Sequence, residues 1–286
     1  MLVSSAAMMP AGGSDACGAL GSPTSPLRDR AVVRVHACNW LNQCAEPISG
    51  LTAELCAKLD PNCKEPIDRP MELNGDFVFE VPTGGTRGLG FEGFLKITTP
   101  RAFCGDKVIF GSSVEQACGL VSGCTSATMT ERCKIPVYPD ALVFFNPPVK
   151  SDVLNAVTVP MIPMAITFSI LAAADTQTAD PSAGFVFATV LDCTGTPTSG
   201  ATVELMPKPP GALSTLYLSN GLPNAAATMT DASGLGGVRG VSAGYHSVIA
   251  RRGNEVGTVG IQVWPQAFTY VNIILSGTAE PGVTGS

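Results

Sequence analysis

Histidine is almost missing from this chain: His36 and His246 are the only two. Neither lies near a plausible Asp and Ser partner or a ligand set in the sequence, which leaves little for a catalytic triad or a histidine metal site. Charge is sparse too, at 14% of residues, and 17 Lys+Arg against 23 Asp+Glu leave a net charge of −6. There is no basic surplus of the kind that binds nucleic acid. Hydrophobic residues still make up 45%, so this is not the low-hydrophobicity, high-charge composition of a disordered chain. Long amphipathic helical patterns and a strand–helix alternation are absent, which excludes a doubly wound α/β fold. The one long charge-free stretch, Val153 to Ala174, is broken by Pro160 and Pro163 and carries Asn155 and Thr158. No Lys/Arg cluster flanks it, so no transmembrane span is expected. It reads as a connecting strand followed by a short buried helix over Met164 to Ala174.

What is abundant is glycine (31), proline (23) and cysteine (10). Gly and Pro at that level fit many short strands joined by tight turns. Eight cysteines fall in one region: Cys38, Cys44, Cys56, Cys63, Cys104, Cys118, Cys124 and Cys133. Cys17 and Cys193 stand outside it. Zinc sites favour close C-x2-C pairs, whereas the intervals here are wider. The cluster therefore reads as disulfides formed in an oxidising compartment. Cys56 and Cys63 enclose Leu59-Asp60-Pro61-Asn62, a turn-forming sequence, and are expected to pair. Spacing leaves the connectivity of the other six open. No metal and no cofactor are expected.

Residues 1–29 read as a flexible leader. Met1 to Met9 is short and lacks a basic start, so the expectation is that the true leader lies upstream. Cys17 is the candidate for a lipid anchor. A first, Cys-rich β-sandwich domain is expected over 30–149, with strands at Ala31–Ala37, Thr52–Leu55, Phe77–Val81, Phe94–Thr98 and Leu142–Phe145. The segment between Phe103 and Lys134 has weak periodicity and depends on cross-links rather than apolar burial. A connector with a short buried helix follows over 150–182. The second β-sandwich domain, 183–276, shows candidates at Phe185–Leu191, Thr202–Met206, Leu216–Leu218, Ala227–Thr230, Gly237–Val241, Tyr245–Arg251, Thr258–Val263 and Thr269–Leu275. Gly/Asn/Asp turns separate them at short intervals, which indicates an antiparallel sandwich. Residues 277–286 form a flexible tail. The fold class is all-β: two tandem antiparallel β-sandwich domains.

The second half carries a recognisable order of residues. Strand Gly184–Leu191 is followed by Asp192, Gly195, Pro197, Gly200, Ala201 and Val203, then Thr230-Asp231 with Gly234, then Gly244-Tyr245. This resembles the carboxypeptidase-regulatory-like, or prealbumin-like (transthyretin-like), β-sandwich module, over about a third of the chain. Glu46 to Glu54 and Leu73 to Phe79 form a fainter copy in the first half, without a counterpart for the Cys-rich insertion. The whole also resembles bacterial secreted or lipoprotein-like proteins. That resemblance implies location more than activity, and a module that supports or presents rather than reacts. In physical terms, Asp231 can accept backbone N–H groups in a turn closed by Gly234. Gly244 is expected to free the chain so that Tyr245 packs its ring inward.

Few motifs invite chemistry. Gly240-Val-Ser242-Ala-Gly244 matches G-x-S-x-G, but a hydrolase elbow needs strand, turn and helix. Here a strand follows, and the only later histidine is His246, four residues on. A hydrolase through Ser242 is the remote alternative; no catalytic residue is assigned. The carboxylates sit beside Gly, Pro or Asn and read as turn caps, and Asp231-Ala-Ser-Gly has too few oxygens for a calcium loop. Gly84 to Gly90 lacks the Lys-Ser/Thr of a phosphate loop and reads as a hairpin tip. Trp40 and Trp264 are the only tryptophans and the candidates for stacking on sugar rings. The expectation is a non-catalytic extracytoplasmic protein, secreted, periplasmic or cell-surface, that displays loops to an unknown protein or polysaccharide partner. A carbohydrate- or peptidoglycan-binding module is the alternative.

Overall fold

The computed structural model describes residues 29–40, 44–45, 47–48, 50–72, 76–84, 90–98, 103–104, 107–108, 138–149, 155–162, 183–207, 214–219, 222–224 and 226–278. The strands of the first half are β1 (Arg30–Asn39), β2 (Thr52–Ala57), β3 (Asp76–Pro82), β4 (Gly93–Thr98), β5 (Phe103–Cys104), β6 (Lys107–Val108), β7 (Ala141–Phe144) and β8 (Asn155–Met161). Those of the second half are β9 (Ala183–Leu191), β10 (Thr202–Met206), β11 (Ser214–Ser219), β12 (Leu222–Asn224), β13 (Leu235–Ser242), β14 (Gly244–Arg252), β15 (Glu255–Val263), β16 (Phe268–Ile274) and β17 (Ser276–Thr278). The protein is all-β, and no described residue is α-helical.

Alternation builds the outer strands. In β1, Ala31, Val33, Val35 and Ala37 are buried while Val32 and Arg34 face out; in β3, Phe77, Phe79 and Val81 do the same. Side chains of period two give each strand one apolar face. β16 breaks this rule, since Phe268 to Ile273 are all buried. A strand buried on both faces, as this one is even at Thr269 and Asn272, belongs in the middle of a layered structure.

That is where it lies. One eight-stranded sheet runs β12-β11-β13-β9-β16-β7-β4-β2. β16 pairs in parallel with β9 on one side and with β7 on the other. Leu55, Leu95, Ile97, Val143, Phe268 and Tyr270 of this sheet point into one core, shared with Val33, Val35, Phe77 and Phe79 of the sheet β3-β1-β8. Phe94, Leu142, Phe144, Val186, Ala188, Val271 and Ile273 point the other way. They meet Val203, Leu205, Val248, Ala250 and Ile261 of the sheet β10-β14-β15-β17. The small sheets thus cover opposite faces of one shared sheet, and each core takes side chains from both halves of the chain.

Two polar ties reinforce β16. The buried Tyr270 hydroxyl donates to the Pro160 carbonyl of β8 at 2.8 Å, and burial pushes its phenol pKa up. Asn146 Nδ2 donates to the Asn272 carbonyl at 2.8 Å. The ring of Phe268 packs edge-on against Phe185 and Phe187, and Phe187 stacks on Tyr270.

Several expectations need revision. The ladders are largely antiparallel, but β16 with β9, β16 with β7, and β1 with β8 are parallel. In each of the three pairs the strands lie far apart in the chain, so no tight hairpin imposes antiparallel pairing on them. The strand expected in the connector is β8, and it is a member of the first small sheet. Ala227–Thr230 is not a strand. Thr230 instead clamps the Ala201 turn, its hydroxyl donating to Thr198 O and accepting from Ala201 N. The helix expected over 164–174 lies outside the described residues, as do Met1 to Arg28 of the leader and residues 279–286 of the tail. Among the described residues, no helix is long and apolar enough to cross a membrane.

Because β16 feeds both cores, Phe268→Ala and Ile273→Ala should each cost about 2–5 kcal/mol. Both should lower the midpoint of one common urea transition, followed by intrinsic fluorescence and by far-UV circular dichroism. Two separate transitions, only one of them sensitive to each substitution, would show that the halves unfold independently.

Candidate functional site

Two short disulfides pin loops at the ends of core strands. Cys38 pairs with Cys44 after β1, at a Cα–Cα distance of 4.8 Å, and Cys56 pairs with Cys63 after β2, at 5.3 Å. Cys193 is also disulfide-bonded. The side chains of Cys104, Cys118, Cys124 and Cys133 lie outside the described residues, as does Cys17.

The 56–63 loop is built residue by residue. Cys56 and Cys63 are buried in the second core. Asp60 N donates to Ala57 O and Cys63 N to Asp60 O, each at 3.0 Å. The Asp60 carboxylate accepts from Glu65 N at 2.9 Å, and such backbone bonds hold its pKa below the ordinary value. The turn leaves Leu59 95% exposed at its tip.

Trp264, in the link between β15 and β16, seats against this loop. Its indole N–H donates to Pro61 O at 2.9 Å, and the Lys96 ammonium sits 5.1 Å from the ring centroid. Lys96 also donates to Glu54 at 2.9 Å, and Arg69 donates to the other oxygen of Glu54 at 2.8 Å. Burial alone would raise the Glu54 pKa. The hydrogen bonds and charges of Lys96 and then Arg69 outweigh that and hold it below the ordinary glutamate value. The indole edge and one ring face are therefore committed to the frame. Trp40 follows β1 inside the 38–44 loop and is half-buried against the first core.

The G-x-S-x-G residues form the end of β13 and the turn into β14, which is strand–turn–strand. His246 is buried, and its Nε2 lies 2.8 Å from the Ser242 carbonyl oxygen rather than the hydroxyl. Its Nδ1 has no hydrogen-bond partner. His36 does have a carboxylate partner that the sequence did not suggest: its Nδ1 lies 2.6 Å from Asp76, placed opposite it by the β1–β3 register. No signal in the spacing announces this pair, which only strand pairing creates. Asp192 caps its turn, accepting from Thr194 N and Thr196 N; Asp231 accepts from Ser233 N. The pKa of Asp192 is lowered: burial would raise it, but the bonds from Thr194 and Thr196 prevail. Among the described residues no three His, Cys, Asp or Glu side chains converge as a metal set.

Tyr245 departs from expectation. It does not pack inward but lies 60% exposed on the outer face of β14. The physical reason is on the neighbouring strand: Gly260 leaves a notch that the phenol end fills, so that a Cβ built on Gly260 would overlap the Tyr245 hydroxyl. The notch gives the ring a seat on the outside, while the inward position next to it is taken by His246.

No protein-family model matches this chain, and no curated protein does. Solved structures show a weak likeness. The Bacillus anthracis TIE protein aligns over 87% of this chain at 10% identity with a TM-score of 0.21; the chain spans only 34% of that protein's length. The shaft pilin SpaA from Lactobacillus rhamnosus GG aligns over 87% of this chain and 99% of its own, at 12% identity and a TM-score of 0.23. A streptococcal ancillary pilin aligns over 86% of this chain and 68% of its own, at 8% identity and a TM-score of 0.23. At such scores the likeness assigns neither a common fold nor a function.

The Glu54 pairing has a testable sign. A carboxyl whose folded pKa is depressed stabilises the protein above the unfolded value, and this is lost as pH falls through the folded value. Glu54→Gln should lower the urea midpoint at neutral pH and flatten its decline below pH 4.5. Equal pH profiles for the two proteins would show that Lys96 and Arg69 contribute nothing to this carboxylate in solution. Trp264→Phe should cost about 1–2 kcal/mol through the lost bond to Pro61, read from the same titration.

Proposed function

We propose that this chain is a non-catalytic extracytoplasmic structural or binding protein, which displays pinned loops from a rigid layered frame. The observation that carries this reading is the placing of two disulfides. Each closes a short loop where a buried strand leaves the core, and the loops hold Trp40 and Leu59. Cross-links of this kind persist in oxidising compartments, which supports a secreted, periplasmic or cell-surface location. A loop held at both ends loses little further freedom on meeting a partner, so its exposed apolar tip binds at lower entropic cost.

The bonding of Ser242 supports the absence of hydrolase chemistry. A serine nucleophile needs its hydroxyl aimed at a base, and here the imidazole is engaged with the backbone carbonyl. The resemblance of 183–276 to a module that supports or presents points the same way, and in this reading 30–149 and 183–276 are two sequence units built into one frame. The partner is a protein or polysaccharide at the cell surface, met through loops or sheet edges, and a lipid anchor at Cys17 would hold the protein there.

Thiol labelling of the unfolded, unreduced protein tests the compartment. At most two reactive cysteines are expected; eight or more would overturn the extracytoplasmic reading. A serine-directed fluorophosphonate probe should leave Ser242 unmodified, and stoichiometric labelling there would establish a nucleophile instead.

A further inference from the structure

We infer that the outer face of the sheet β10-β14-β15-β17 carries a binding platform for a neutral, pyranose-based polysaccharide, centred on Tyr245. This rests on the display reading above and gives it a ligand class. In β14, the outward residues are Tyr245, Ser247, Ile249 and Arg251, alternating with the buried His246, Val248 and Ala250. The register sets Gln262 opposite Tyr245 and Gly260 opposite Ser247. Tyr245 reaches diagonally across to Gly260 and fills the space of its missing side chain. Diagonal neighbours on one sheet face are within reach of an aromatic side chain. The ring is therefore laid down along the sheet, and its 60% exposure belongs to a surface facing water.

An exposed aromatic ring whose phenol end is seated over a glycine, beside hydrogen-bonding groups, matches a pyranose. The sugar's C–H face covers the ring while its hydroxyls bond at the rim. Ser247 and Gln262 supply rim groups beside the ring, and Met206, 47% exposed and opposite Ser247, extends the apolar floor. Charge decides between neutral and ionic ligands. Among the described residues, the side chains flanking Tyr245 on this face, Ser247 and Gln262, are uncharged. Further along the described part of the face, Glu204 and Arg251 pair with each other at 4.0 Å. The whole chain carries −6, which repels an anionic polymer. What complements this face is an uncharged glycan. Trp264, by contrast, already has its indole edge and one face engaged.

Retention of the full chain on insoluble cellulose, chitin and starch provides the test. Binding to at least one is expected. On that support Tyr245→Ala should weaken binding about tenfold or more, while Tyr245→Phe retains it. Gly260→Ala keeps the tyrosine but refills the notch, and should also weaken binding, because the ring is lifted from its seat. All three substitutions lie at the surface, and unchanged thermal midpoints would confirm that the fold is intact. No retention on any of the three supports, or retention indifferent to Tyr245→Ala, would overturn the platform. The thiol and serine-probe measurements are independent of it, so the display reading can stand when this inference falls, and the reverse.

Discussion

Burying both faces of one strand sets the terms for the rest of this structure. β16 sits between β7 and β9 and sends alternate side chains into two cores that lie on opposite sides of the same sheet. A strand with apolar side chains on both faces gains from their burial only when layers exist above and below it. The upper layer is made by the first half of the chain and the lower by the second. Each half thus completes a core with residues that the other half holds in place, and Tyr270 and Asn146 tie the arrangement with hydrogen bonds across the seam. Pairings so distant in sequence defer their reward until much of the chain is in position, which is the mark of a fold dominated by non-local contacts.

The disulfide loops make sense against that frame. Cys56 and Cys63 belong to the second core although they come from the first half. Their loop accepts a hydrogen bond from Trp264, a residue of the second half. The bridge therefore does more than shorten the unfolded chain: it fixes Pro61 where the indole can reach it, beside Lys96 and Glu54. The pinned loop, the tryptophan and the ion pairs are one joint between halves, with Leu59 left outside it.

Much of this architecture was legible in advance. Alternation in Ala31–Ala37 and Phe77–Val81 marked one-sided strands, and Cys56 with Cys63 around a proline turn marked a local bridge. Asp192 and Asp231, set among Gly, Ser and Thr, marked capped turns. Other features left no such trace. Thr269–Leu275 was readable as a strand, but nothing in it named β7 as a neighbour. His36 and Asp76 form a pair only because two strands run antiparallel in one register. Ala227–Thr230 has strand-like composition, yet Thr230 spends its side chain on the Ala201 turn. Tyr245 follows a glycine that frees the chain for an inward ring, whereas a second glycine, Gly260 on the neighbouring strand, seats the ring outside.

Composition and periodicity alone determined that the chain is all-β, rich in turns and cross-linked by sulfur, because these are local properties: side-chain alternation, φ freedom and short loop closure. Tertiary structure alone decided that one sheet joins both halves, that Trp264 is a structural joint and that Tyr245 is a surface. Those outcomes depend on which strands become neighbours. Neighbours in a sheet are chosen by the total apolar area that all layers bury together, a quantity no single segment contains.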